Sequence, residues 1–200
     1  MPKHRTGLAL VVFLSTIPLA LSACPQSSPS SDEDEDRALL DAPVLFPITV
    51  GENAGRPAEV RGPEGWRGED RLPVIFILHG YSANALIQET IVFRFTSHIE
   101  TDRFLLVLPE GTVNEEGDQF WAATQTCCDF YNSGVDDVSY LLGLVDELAE
   151  RVPIDEDRVY FTGHSNGGFM SYTMACEAPS RVAGIMNFAG STFVDPAKCT

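Results

Sequence analysis

The 200 residues are 44% hydrophobic and 21% charged, enough apolar material for one main globular domain. The formal net charge of −16 leaves no basic stripe to neutralise phosphates, so nucleic acid is excluded as a partner and anionic polymers are disfavoured as substrates. In an exported chain such acidity serves solubility.

Residues 1–23 have the layout of a secretory signal peptide: Lys3 and Arg5, an apolar stretch over 7–21, then the small residues Ser22 and Ala23. The stretch is shorter than the ~20 residues that a bilayer-spanning helix needs. Leu21-Ser22-Ala23-Cys24 resembles a bacterial lipobox, which implies lipidation of Cys24 and a protein exported to the cell envelope or secreted. Membrane attachment is then expected through that anchor. Residues 24–42 carry PQSSPSSDEDED, a Ser-, Pro- and acid-rich run that cannot bury apolar surface and reads as a disordered tether. The folded domain is expected over 43–200.

From residue 43 onward strand and helix signals alternate. Strands are expected over 44–50 and 58–61, followed by the turn-rich Gly62-Pro63-Glu64-Gly65. Residues 73–78, PVIFIL, are continuously apolar, the mark of a strand covered on both faces. A helix is expected over 84–99 with Asn84 as its cap, then a second buried strand over 104–108, FLLVL. The loop over 109–134 holds Trp121 and a cysteine pair; loops of this length inside compact domains are functional or tied by disulfides. Residues 136–151 place Val138, Leu141, Leu142, Val145 and Leu148 at helical spacing, behind Asp136 and Asp137, which suit a helix start. A strand over 158–162, a helix over 167–176 and a strand over 182–189 complete the pattern. Such alternation predicts an α/β fold with a mostly parallel sheet and right-handed crossovers.

Gly163-His164-Ser165-Asn166-Gly167 stands where the 158–162 strand gives way to a helix. This is G-x-S-x-G in the strand–turn–helix context of a nucleophile elbow. The turn is so tight that the flanking positions must be small, and the serine Oγ is held near the positive end of the following helix. Ser165 is therefore the candidate nucleophile. Reactive groups in an α/β sheet gather at the carboxyl ends of the strands, and His79-Gly80-Tyr81 follows the 73–78 strand at such an end. An ester carbonyl attacked by serine becomes an oxyanion, and backbone N–H groups aimed at it lower the barrier by roughly a few kcal/mol each. The candidate donors are the N–H groups of Tyr81 and Asn166. His79 is expected to shape the loop rather than act as a base, and His164 to point away from Ser165.

A serine also needs a base and an orienting acid, which in this fold follow it in chain order. His4, His79, His98 and His164 all precede Ser165. His98 is expected at the surface or in packing. Asp195, behind the last strand, is the candidate acid, against the reading of a loop residue or helix cap. After Cys24 the cysteines are Cys127, Cys128, Cys176 and Cys199, which outside the cytoplasm allow three disulfide pairings. At least one bridge from the Cys127-Cys128 pair to Cys176 or Cys199 is expected. The adjacent pair matches no common zinc spacing, and no metal site is expected.

HGYSAN at 79–84, FLLVLPEGT at 104–112, CCDFYNSGVDDVSYLLGLVDEL at 127–148 and IDEDRVYFTGHSNGGFMSYTMACEAPSRVAGIMNFAG at 154–190 follow one another. Together these blocks resemble the secreted polyhydroxybutyrate depolymerase and feruloyl esterase-like family of α/β-hydrolases, over about residues 55–200. The resemblance implies an α/β-hydrolase fold and a serine esterase with Ser165 as nucleophile and an oxyanion hole at Tyr81 and Asn166. It implies no cofactor and a small-molecule or polymeric ester as substrate. It also implies further strands carrying acid and base, so the carboxy-terminal strands are expected to be missing and the 182–189 strand to be a bare edge. Phe120, Trp121, Phe130 and Tyr131 either line an acyl or aryl site or form local core. Two other classes stay open. A non-catalytic or truncated surface lipoprotein of the same fold is favoured by the lack of a late histidine. A serine peptidase is disfavoured by the lack of a propeller-like amino-terminal domain.

Overall fold

The computed structural model describes residues 43–199 apart from 125, 196 and 198. The signal, Cys24 and the tether lie outside the described residues. Among the described residues eight strands follow in chain order: β1 (Ile48–Val50), β2 (Ala58–Arg61), β3 (Leu72–Leu78), β4 (Leu105–Leu108), β5 (Thr112–Val113), β6 (Gln119–Phe120), β7 (Ile154–His164) and β8 (Gly184–Phe188). Six of them form one sheet in the spatial order β1-β2-β4-β3-β7-β8, and β5 and β6 form a separate hairpin. The pairs β3–β4, β3–β7 and β7–β8 are parallel, whereas β1 and β2 add an antiparallel flank.

Alternation along β3 explains why its sequence is apolar throughout. Val74, Phe76 and Leu78 point into a cluster with Leu141, Leu144, Val145 and Leu148 of α3 (Asp137–Arg151) and Met170 and Met174 of α4 (Asn166–Glu177). Ile77 points the other way, to a second cluster with Ala85, Ile99, Phe104 and Leu106. Each fully buried aliphatic side chain stabilises the fold by about 1.5–3 kcal/mol relative to exposure. The central strands are therefore fixed from both sides, and the carboxyl ends of β3 and β7 are brought together by the register Leu78↔Gly163.

The single helix expected over 84–99 is broken. It comprises α1 (Ala85–Ile87), a π-helical stretch Gln88–Phe93, a 3-10 turn Phe95–His98 and α2 (Ile99–Asp102). Asn84 caps α1 by accepting from the Ile87 N–H at 2.9 Å. The break falls at Arg94, whose φ of 59° no helix accommodates. Glu89 makes the break stable: its buried carboxylate accepts from the Phe95 and Thr96 N–H groups at 3.1 and 2.7 Å, donors that a continuous helix would have used internally.

The face opposite α3 and α4 is covered over β3 and β4 but open over β7 and β8. Tyr160, Met186 and Phe188 there are 37%, 42% and 45% exposed. β8 is the outer strand among the described residues, and none of its side chains is fully buried. Among the described residues no helix is long and apolar enough to cross a membrane.

Candidate active site

Between β7 and α4 the chain reverses on one residue. Ser165 has φ 53° and ψ −118°, a region that a non-glycine residue occupies only where its surroundings over-determine it. Those surroundings are visible on both sides. A Cβ on Gly163 would collide with the carbonyl of Gly167, and one on Gly167 with the Leu78 and His79 carbonyls. Helix α4 thus starts directly against the ends of β7 and β3, and only glycine fits at either position. The Ser165 N–H donates to the Phe188 carbonyl at 2.8 Å, and its own carbonyl accepts from the Phe169 N–H at 3.0 Å. The side chain is partly exposed at the positive end of a 12-residue helix.

The loop after β3 passes over this turn: a Cβ on Gly80 would lie 3.7 Å from the Ser165 Cβ. Its polar groups are held one by one. The His79 carbonyl accepts from Trp121 Nε1 at 3.0 Å, and the Gly80 N–H donates to Gln88 Oε1 at 3.3 Å. The Gly80 carbonyl accepts from the Ala83 N–H at 3.1 Å and lies 2.8 Å from His79 Nδ1. The Ser82 N–H donates to the Gln119 carbonyl at 2.9 Å. The Tyr81 N–H donates to no acceptor among the described residues. The Asn166 N–H, as the first of α4, has no carbonyl four residues back within that helix.

His79 is fully buried, tilted against Trp121 with ring centroids 5.0 Å apart. Its Nε2 accepts from the Gly111 N–H at 2.8 Å, which assigns the proton to Nδ1 and the bond at Nδ1 to a donor. Burial holds its pKa down at about 4, opposed by the bond to Gly80 and helped by the Arg56 charge. The Glu110 carboxylate, 3.6 Å from Nε2, therefore faces a neutral ring and forms no ion pair with it. Burial raises the pKa of Glu110 as well.

Asn166 holds more than its backbone position suggested. Its buried side chain accepts from the Trp121 N–H at 2.7 Å and donates to the Trp121 carbonyl at 2.9 Å. Asp136 and Asp137 both stand at the start of α3, as expected: Asp136 caps it through the Ser139 N–H, and Asp137 is its first residue, but the Asp137 carboxylate is buried and bonds away from the helix end. Asp137 accepts from Arg56 Nη1 and from the Ala122 N–H, both at 2.7 Å. Arg56 also donates to the Glu110 carbonyl at 2.8 and 3.2 Å and lies 3.8 Å from the Tyr140 ring centre. The signal was present in the sequence, because 137 falls on the apolar stripe with 141, 144, 145 and 148, and a helix needs only one cap.

The other candidates fall as follows. Phe120 and Trp121 are core residues at 1% and 0% exposure, which removes them from any acyl or aryl site. Phe130 and Tyr131 are exposed, and Phe130 meets Tyr81 edge-on with centroids 5.4 Å apart. A hydrogen bond to Glu116 pushes the Tyr131 phenol up to about 12. His98 is exposed, 3.6 Å from Asp102, and His164 is exposed. No imidazole among the described residues bonds to Ser165. The Asp195 carboxylate is exposed and accepts locally from the Ala197 N–H at 3.0 Å. The expected bridge between the Cys127-Cys128 pair and the later cysteines is overturned: Cys127 pairs with Cys128, and Cys176 with Cys199. Topology decides this, since the chain leaving β8 runs back past the end of α4, with Thr192 Oγ1 3.9 Å from Cys176 Sγ.

A mainly parallel sheet with helices on both faces and a serine on a strained strand–helix turn defines the α/β-hydrolase fold. Residues 53–199 match the family described as "Putative esterase", and the chain belongs to that esterase family. It is 26% identical to "Putative esterase NocK" of Nocardia uniformis subsp. tsuyamanensis, over 98% of this chain and 59% of that protein. It is 24% identical to feruloyl esterase D of Neurospora crassa, over 91% of this chain and 61% of that protein. The chain thus spans about three-fifths of the length of these curated relatives. Among solved structures, acetyl xylan esterase from Aspergillus awamori aligns with a TM-score of 0.60 at 14% identity, covering 74% of this chain and 53% of its own. A thermostable esterase aligns at 0.51 and 18% identity, covering 80% and 44%. At these identities the structural likeness speaks for the fold alone.

Proposed function

We propose that the protein is an exported serine carboxylic-ester hydrolase that works through an acyl-enzyme at Ser165. The observation that carries this reading is the strained Ser165 turn lying under a loop whose Tyr81 N–H has no partner among the described residues. In the proposed cycle Ser165 Oγ attacks the ester carbonyl and passes its proton to an imidazole. The carbonyl oxygen, now an oxyanion, accepts from the Tyr81 and Asn166 N–H groups. The imidazolium returns the proton to the leaving alcohol, and water then releases the acid by the same steps. None of the described imidazoles bonds to Ser165, and the reading assigns the base to none of the described residues. Asp195 keeps the role of candidate acid only if its local turn with Ala197 opens.

The substrate is read as a small or polymeric ester. The sequence relative named feruloyl esterase D supports an aryl ester, and exposed Phe130 and Tyr131 beside Tyr81 offer apolar surface for it. Export, with a lipid on Cys24, rests on residues 1–24, and the Cys176–Cys199 bridge accords with an oxidising compartment. The test is turnover of p-nitrophenyl acetate by the full-length protein. Ser165→Ala is expected to lower kcat by ~10⁴-fold or more with its fold intact. Equal, weak turnover by both proteins would favour the non-catalytic reading.

A further inference from the structure

The peptide joining Gly80 to Tyr81 is planar and trans, so its carbonyl and its N–H point in opposite directions. Whatever fixes the Gly80 carbonyl therefore aims the Tyr81 N–H. Two donors fix it, the Ala83 N–H at 3.1 Å and His79 Nδ1 at 2.8 Å. The His79 ring is itself unable to turn. Its Nε2 receives the Gly111 N–H at 2.8 Å, Trp121 lies against its face, and a ring flip would set its C–H groups against both partners. Gly111 leaves no room either, since a Cβ there would collide with the Phe120 carbonyl and come within 3.0 Å of His79 Cε1.

From this geometry we infer that His79 is a positioning residue for the oxyanion hole, a neutral Nδ1–H tautomer that holds the Gly80–Tyr81 peptide so that the Tyr81 N–H faces Ser165. The inference rests on the esterase reading above. His79 touches no reacting atom in it; the ring acts through one peptide plane. The groups facing the ring are the Glu110 carboxylate at 3.6 Å, the Arg56 guanidinium, the Trp121 indole and the Gly80 and Gly111 backbone. Protonation would place an N–H on Nε2 against the Gly111 N–H, two donors face to face. The depressed pKa keeps that form out of neutral solution.

Two substitutions separate the halves of the ring. His79→Asn keeps a side-chain N–H near the Nδ1 position, and His79→Gln keeps a carbonyl near the Nε2 position. On p-nitrophenyl acetate with full-length protein, His79→Gln is expected to lower kcat about tenfold or more with KM within about twofold. That is less than the ~10²–10³-fold for losing a donor outright. His79→Asn should retain a several-fold higher kcat than His79→Gln. Nitrogen-15 NMR of the wild-type ring should show a protonated Nδ1 and an unprotonated Nε2 at pH 7. Unchanged kcat in His79→Gln, alongside a dead Ser165→Ala, would overturn the positioning role and leave the nucleophile standing. An Nε2–H tautomer in the wild type would overturn it with or without turnover, and so would equal losses in the two His79 variants. Loss of the esterase reading itself would show separately, as ester turnover indifferent to Ser165→Ala.

Discussion

Asn166 grips both backbone groups of Trp121, accepting from its N–H at 2.7 Å and donating to its carbonyl at 2.9 Å across 45 residues of sequence. One side chain thereby satisfies two buried groups that no strand reaches, and ties the loop over 109–134 to the first turn of α4. The residue beside the candidate nucleophile is thus fixed by its side chain while its backbone N–H stays available.

Replacing Asn166 with Ala leaves that pair of buried backbone groups without partners and is expected to cost about 2–4 kcal/mol of stability, read from urea unfolding. Asn166→Asp keeps the acceptor but sets a carboxylate against the Trp121 carbonyl. It should be at least as unstable at neutral pH and recover part of the loss in acid, where the carboxyl can donate.

The Arg56–Asp137 pair makes a different prediction. Asp137 is fully buried and the Arg56 side chain is 20% exposed, so removing either partner strands a charge in a largely dry site. Arg56→Ala or Asp137→Ala alone should cost about 3 kcal/mol or somewhat more, and the double variant clearly less than the sum. Arg56→Lys should rescue little. A single ammonium cannot reach Asp137, donate twice to the Glu110 carbonyl and stack on Tyr140 at once.

His79 gives stability a pH dependence with a definite sign. Its ordinary pKa is 6.5 and its folded value about 4. Well above pH 6.5 the ring is neutral in both states. As pH falls from 6.5 to about 4, the unfolded chain takes up a proton that the folded chain refuses, so stability declines through that window by about 3 kcal/mol in all. Glu110, whose pKa burial raises, works in the opposite sense, because the folded protein takes its proton first. Urea midpoints of wild type and His79→Asn between pH 4 and 6.5 separate the two. The wild-type slope should exceed that of the variant.

Local signals made much of this legible in the sequence. The runs over 73–78 and 104–108 are apolar because both faces of their strands are covered, and Gly163 and Gly167 are small because backbone from β3 and α4 lies against them. Other features depended on distant partners. Nothing near Asp137 announces Arg56, 81 residues earlier, and nothing near Trp121 announces that Asn166 will hold it. The break at Arg94 was hidden because apolar residues on either side satisfy a helical pattern, while the deciding bonds come from Glu89. Disulfide pairing was hidden because it follows from where the chain returns after β8.

The most direct test of the central claim is covalent trapping. Full-length protein is treated with a fluorophosphonate, digested and mapped by mass spectrometry. The account predicts a single phosphonyl group on the peptide containing Ser165, with loss of ester turnover in proportion to labelling. Labelling at another serine, or turnover that survives while Ser165 is replaced by Ala, would contradict it.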